Sequence, residues 1–102
     1  MKLWLDDKRW APKDWIHAQT VDTCIQVLKT RQVSHVSFDN DLGEGEQEGY
    51  IALNWLEEIV HDDPSFPLPE ITVHSANAGR VPSMRQTAAK LEKIRQQQIG
   101  GQ

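Results

Sequence analysis

Cysteine is nearly absent from this chain: among 102 residues only Cys24 carries a thiol. One thiol cannot close an internal disulfide, and such scarcity suits a reducing compartment. Long apolar runs are also missing. "MKLWLDD" reaches its first acid after Leu3, Trp4 and Leu5, too soon for a signal-peptide core, and no stretch approaches membrane-spanning length. The cytoplasm is the expected location, without membrane contact. Positive charge is in short supply. Lys and Arg number 11 against 15 Asp and Glu, a net charge of −4, which argues against general binding of duplex nucleic acid but allows a specific contact with one phosphate. No internal repeat or low-complexity domain is visible.

What is present fits a single domain over 1–102. Apolar residues make up 38% and charged residues 25%, the balance of a soluble globular protein with a modest core. The polar, glycine-ended stretch "RQQQIGGQ", from about 95 to 102, is expected to fray. "HDDPSFPLPE" (61–70) holds three prolines and so must end one element before the next begins.

Four short stretches read as strands: "KLWL" (2–5), "DWIHA" (14–18), "HVSF" (35–38) and "EITV" (70–73). Between them, Val21, Cys24, Ile25 and Leu28 follow helical spacing after Thr20, a plausible N-cap. Ala52, Trp55, Leu56, Ile59 and Val60 repeat the stripe after Gly49. A third helix is expected near Pro82, turning Met84, Ala88 and Leu91 inward. Strands alternating with helices imply a largely parallel sheet with right-handed crossovers. The link between the first two strands, "DDKRWAPK", is too short for a helical crossover. Eight extended residues still reach about 27 Å, so a parallel pair and an antiparallel hairpin both remain open.

The segment "SFDNDLGEGEQEGY" (37–50) has the acid and glycine content of a calcium loop. An EF-hand needs Gly at its sixth position and Glu at its twelfth. Counting from Asp39 puts Glu44 and Tyr50 there; counting from Asp41 puts Glu46 and Ala52. Neither frame works. The acids read better as a strand end, because an open parallel sheet gathers its strand C-termini at one edge, where ligands bind. Asp6, Asp7, Asp39, Asp41, His74 and Ser75 would meet there. Clustered carboxylates repel unless protons or a cation join them, and hard oxygen ligands favour Mg²⁺, Mn²⁺ or Ca²⁺ over Zn²⁺. Glu44, Glu46 and Glu48 are expected to be solvated. Gly43, Gly45 and Gly49 make their loop a candidate flap.

In "VHSANAG" (73–79), a polar run between strand and helix offers Ser75, Asn77 and backbone N–H groups to an anion, or simply caps the helix. His74 has the chemistry of a general acid or base. Arg9 could clamp phosphate oxygens or pair with Asp6 or Asp7. Trp10 could stack on a base, though roofing the sheet edge is its more ordinary role. Trp4, Trp15 and Trp55 fall on core positions, and His17, His35 and His61 read as structural or surface residues.

Taken together, "LWLDDKRWAP", "VSFDNDLG" and "ITVHSANAG" look like the three hallmark blocks of the cyclic-phosphate processing receiver domain family, from about residue 2 to 91. The resemblance implies a receiver-like (flavodoxin-like) α/β fold, a small parallel sheet flanked by helices, with the first crossover helix shortened or lost. It matches Asp6 and Asp7 to the acidic pair, Asp39 to the phosphoacceptor position and Ser75 to the hydroxyl position. His74, Asn77 and Arg9 match residues that set this family apart from ordinary receivers. The sequence departs from the pattern where Asn40 stands in place of a frequent His and Ala78 in place of a frequent Pro. No strand ending in Lys follows "HSAN", as it would in a phosphorelay receiver.

The expected function is that of a metal-dependent phosphoesterase acting on cyclic phosphates, such as 2′,3′-cyclic nucleotides or RNA ends. Asp6, Asp7, Asp39 and Asp41 would hold Mg²⁺ or Mn²⁺. Arg9, Ser75, Asn77 and Trp10 would bind substrate, with His74, Asp39, Arg9 and Ser75 catalytic. His74 would protonate the leaving ribose oxygen, and either water or Asp39 would attack. The alternatives are a module that captures a cyclic nucleotide uncleaved, or a switch phosphorylated on Asp39. The oligomeric state is not legible.

Overall fold

A computed structural model of the chain describes residues 1–100. Its elements are β1 (Lys2–Leu5), β2 (Trp15–Ala18), α1 (Val21–Leu28), β3 (His35–Phe38), α2 (Tyr50–Asp62), β4 (Glu70–Val73) and α3 (Val81–Gly100). The four strands form one sheet in the order β2-β1-β3-β4, with every pairing parallel. This is the receiver-like α/β fold, with a helix-free first connection.

The pairing of Lys2–Leu5 with Trp15–Ala18 resolves the open question of the first two strands: they are parallel. The chain manages this by curling at once. Asp6 Oδ1 accepts the N–H groups of Lys8 and Arg9 at 2.8 and 2.9 Å, and Asp14 takes a positive φ of 70° just before β2.

Right-handed crossovers decide which side of the sheet each connection occupies. The chain steps from β2 past β1 to β3 and then outward to β4, so α1 and α2 share one face. The step from β1 to β2 runs the opposite way and belongs on the other face. The contacts agree: α1 packs on β1, β2 and α2, while α3 packs on α2 and β4. Leu3, Leu5, Ala18, Val36 and Phe38 point into this helical layer and meet Cys24, Leu53, Leu56, Met84 and Leu91 in one buried cluster. Strand alternation sends Trp4, Trp15, His17, His35, Ser37 and Thr72 to the opposite face. The loop 6–14 returns across it: Trp4 Nε1 donates to Arg9 O, and the Trp10 ring meets His17.

Helix ends follow local chemistry. Thr20 Oγ1 accepts the N–H of Thr23, capping α1 as its position suggests. Gly49 has no side chain with which to cap α2; Asn40 Oδ1, ten residues back, accepts the Tyr50 N–H instead. Pro82 lies in the first turn of α3, which buries Met84 and Leu91.

Of the stretch expected to fray, residues 95–100 continue α3, and residues 101–102 lie outside the described residues. The Gln98 side chain accepts from Leu68 N–H and donates to Phe66 O at 2.7 Å, docking the last turns on the proline-rich connection. Composition alone could not signal that long-range partner.

Candidate functional site

Asp6 and Asp39 each stand one residue beyond a strand, and the last residues of those strands, Leu5 and Phe38, are register partners. The sheet therefore sets the two acids side by side. Asp7 joins them: one carboxylate oxygen from each of Asp6, Asp7 and Asp39 lies within 4.8 Å of the others. At such spacing each pair of charges repels by about 3 kcal/mol at an effective dielectric of 20. Three convergent hard oxygens could hold a divalent cation, which would relieve that repulsion.

Asp6 is the most tightly held of the three. It is buried, and burial pushes its carboxyl upward. The N–H bonds from Arg9 and Lys8 and the His74 imidazole outweigh that penalty and hold it below its ordinary value. His74 Nε2 lies 3.1 Å from Asp6 Oδ2, and His74 Nδ1 lies 2.7 Å from Ser37 Oγ. The His74 ring is stacked on Trp4. Burial pulls the imidazole below its ordinary value of 6.5 against the opposing attraction of Asp6. Both partners shift downward, which describes a carboxylate bonded to a neutral imidazole. His74 then donates from Nε2 and accepts the Ser37 hydroxyl at Nδ1.

Asp39 is oriented by its own neighbours. Its Oδ1 accepts the Asn40 N–H at 2.8 Å, while its backbone N–H bonds to Leu5 O. A Cβ on Gly49 would fall 1.8 Å from Asp39 O, so only glycine lets α2 approach this closely. Gly43, at φ +108°, brings the 41–49 loop beside Asp7, where a Cβ would lie 3.4 Å from Asp7 Oδ2.

Asp41, expected among the metal ligands, lies outside this carboxylate group. The reason is local. Its exposed side chain accepts amide protons from Asn40 at 3.2 Å and Asn77 at 3.0 Å, which ties the two loops together. Asn77 also accepts the Arg80 N–H, so it organises the turn before α3. Ser75 Oγ accepts the Asn77 N–H, leaving its hydroxyl proton to donate outward.

Arg9 makes none of the ion pairs weighed for it with Asp6 or Asp7. One guanidinium nitrogen donates to His74 O at 3.2 Å, joining the first acidic turn to the β4 end. Trp10 does not roof the sheet edge: it is 85% exposed. Cys24 plays no part, since burial pushes its thiol up to about 12.

Three residues escaped the sequence reading. Ser37 was only a letter within a strand; its signal was a small hydroxyl, away from the core, on the strand beside the one that ends in His74. Trp4 was assigned to the core, whereas it backs His74. Asn40 stood out only as a departure from a pattern. It is fully buried, donating to Glu48 at 2.8 Å and Asp41, and accepting from Tyr50 N–H at 3.1 Å.

A family model describing the cyclic-phosphate processing Receiver domain matches residues 1–90. The match spans all three sequence blocks that form the rim. No curated protein matches the chain, and no solved structure does.

Proposed function

This chain belongs to the cyclic-phosphate processing receiver domain family, and on that premise we propose that it is a divalent-metal-dependent phosphoesterase that opens cyclic phosphates of the 2′,3′-nucleotide kind. The observation that carries the proposal is the convergence of Asp6, Asp7 and Asp39 within 4.8 Å at the C-terminal rim of a parallel sheet. Arg9, Ser75 and the exposed Trp10 stand on the turns that follow β1 and β4.

The reaction adds water across one P–O bond of the ring and leaves a phosphomonoester and a free ribose hydroxyl. Mg²⁺ or Mn²⁺, when bound by Asp6, Asp7 and Asp39, supplies polarisation of the phosphate and a more acidic water. The chain's own residues do the rest. Arg9 spends one of its five N–H donors on His74 O and turns the others to non-bridging oxygens as charge builds. Ser75 donates its hydroxyl proton to a second such oxygen. Asp39, fixed at Oδ1 by Asn40, keeps its other oxygen for the reacting centre, as ligand or as nucleophile. His74 has both ring nitrogens engaged, so we assign it to holding Asp6 in place, not to protonating the leaving oxygen. Asn77 positions the turn that carries Ser75.

One feature favours a second reading, capture without cleavage. The histidine at the rim is committed to Ser37 and Asp6, and Asn40 is occupied with internal bonds, so no free imidazole attends the leaving group. Incubation with adenosine 2′,3′-cyclic monophosphate and Mn²⁺, followed by product analysis, separates the two. The phosphoesterase yields a phosphomonoester, stops with chelator, and loses turnover as Asp39→Asn. Recovery of intact nucleotide in stoichiometric amount establishes capture. Neither binding nor turnover would end both readings.

A further inference from the structure

Among the described residues the sheet face opposite the helices carries no helix, because the first connection, which right-handedness assigns to that side, is only the loop 6–14. Parallel sheets are almost always covered on both faces. Here the helix-free face is aromatic and polar in place of aliphatic. The indoles of Trp4 and Trp15 meet edge to face with centroids 5.9 Å apart. His35 tilts against Trp15 at 6.5 Å, and Lys2 Nζ sits 5.8 Å from the Trp15 ring centroid. Neither Trp4 nor Trp15 belongs to the buried apolar cluster.

We infer that this face is a stacking platform for the unpaired bases of a single-stranded RNA whose cyclic-phosphate end lies at the acidic rim; the part about the end rests on the proposed phosphoesterase reading. Two observations select this occupant over a protein partner. A helix docked here would have to desolvate Lys2, Glu70 and the His35 imidazole bonded to it, whose nitrogen and oxygen are 2.7 Å apart, at a cost its contacts would hardly recover. Bases stack on indole while leaving such groups wet, and every base has a π-face.

Charge does not oppose it: in a chain of net charge −4, β1 and the loop that crosses this face carry Lys2, Lys8, Arg9 and Lys13 beside Asp6, Asp7 and Asp14. Last, platform and rim are continuous: Trp4 stacks on His74, which bonds Asp6 at the acids. Duplexes, whose bases are already stacked, are poor ligands for such a surface.

The test uses two probes: a short oligoadenylate ending in an ordinary 3′-hydroxyl, which reads the platform alone, and adenosine 2′,3′-cyclic monophosphate, which reads the rim. The oligoadenylate should quench tryptophan fluorescence, and Trp15→Ala should weaken its binding by about 5- to 150-fold for the base lost. Turnover of the mononucleotide by the same variant should be unchanged, which also shows that the variant is folded. Trp15→Phe should retain most of the affinity. Unaltered oligoadenylate binding in Trp15→Ala, or none by the unsubstituted chain, overturns the inference. So does a dimer in solution that Trp15→Ala dissociates, since the face would then belong to a second copy. If the oligoadenylate binds as expected but the mononucleotide is never opened, the phosphoesterase reading falls and the platform stands.

Discussion

The imidazole of His74 lies flat on the indole of Trp4, with ring centroids 3.9 Å apart and planes 6° apart. The stack joins two strand ends that are not neighbours in the sheet, β1 and β4, across β3. It fixes the plane of an imidazole whose Nε2 then holds Asp6. Trp4 therefore acts on the acidic rim without touching it.

Removing that backing should loosen the rim while leaving its ligands in place. Outer-sphere partners of ligating residues typically contribute 10- to 100-fold in metal affinity. Trp4→Leu is expected to weaken Mn²⁺ binding by about 10-fold, read by calorimetric titration. Equal affinity in the variant would reduce the stack to ordinary packing.

The three acids and Asp41 should separate cleanly in the same titration. Asp7→Asn and Asp39→Asn are expected to remove most of the Mn²⁺ affinity, whereas Asp41→Asn should change it by no more than about threefold, since its carboxylate serves Asn40 and Asn77. A loss in Asp41→Asn as large as in Asp39→Asn would return Asp41 to the ligand set. In the unsubstituted chain, Mn²⁺ at 100 times its dissociation constant should add about 2.7 kcal/mol of stability, seen as a higher Tm.

Gly49 is constrained by contact, since its φ of −60° is open to any residue. A methyl group there would overlap Asp39 O at 1.8 Å, so helix and strand end would have to part. Gly49→Ala is expected to cost about 3 kcal/mol or more by chemical denaturation, and to impair Mn²⁺ binding with it. Unchanged stability would mean that the approach of α2 to Asp39 is looser than described.

Acid should destabilise the metal-free fold in two steps. The folded His74 imidazole lies below its ordinary 6.5, so from about that pH downward the unfolded chain binds the extra proton first, and stability falls until the folded-state value is passed. Asp6 lies below its ordinary 3.8; its contribution is complete above that pH and is lost as pH falls through the folded value. Denaturation in chelator across pH 7 to 3 should therefore give a monotonic decline. His74→Gln should flatten its upper part, and an unchanged slope there would remove His74 as the cause.

The strand ends were legible because period-two patterning and the acids directly after them obey local rules, and a parallel sheet turns those rules into proximity. Asp6, Asp7 and Asp39 met for that reason. Asp41 lies two residues further on, where side-chain bonds to Asn40 and Asn77 decide its direction, and no local rule encodes them. Gln98 and Trp4 illustrate the same limit. Each reads as polar tail or apolar core by type, yet each is placed by a partner some 30 or 70 positions away. The parallel pairing of β1 and β2 stayed open for a different reason: chain reach allowed both arrangements.

Asn40 closes the loop from both sides. Its carbonyl accepts Gly49 N–H at 2.7 Å and its amide reaches Glu48 and Tyr50, so the stretch between enters and leaves at a single clasp. Within that stretch Leu42 is buried in the core and Asp41 accepts from Asn77, so only the tip around Gly45 is free to vary. Lengthening it near Gly45, where an added side chain meets nothing within 4 Å, should leave strand, helix and acids where they are, and offers a means of reshaping the mouth of the site without rebuilding the protein.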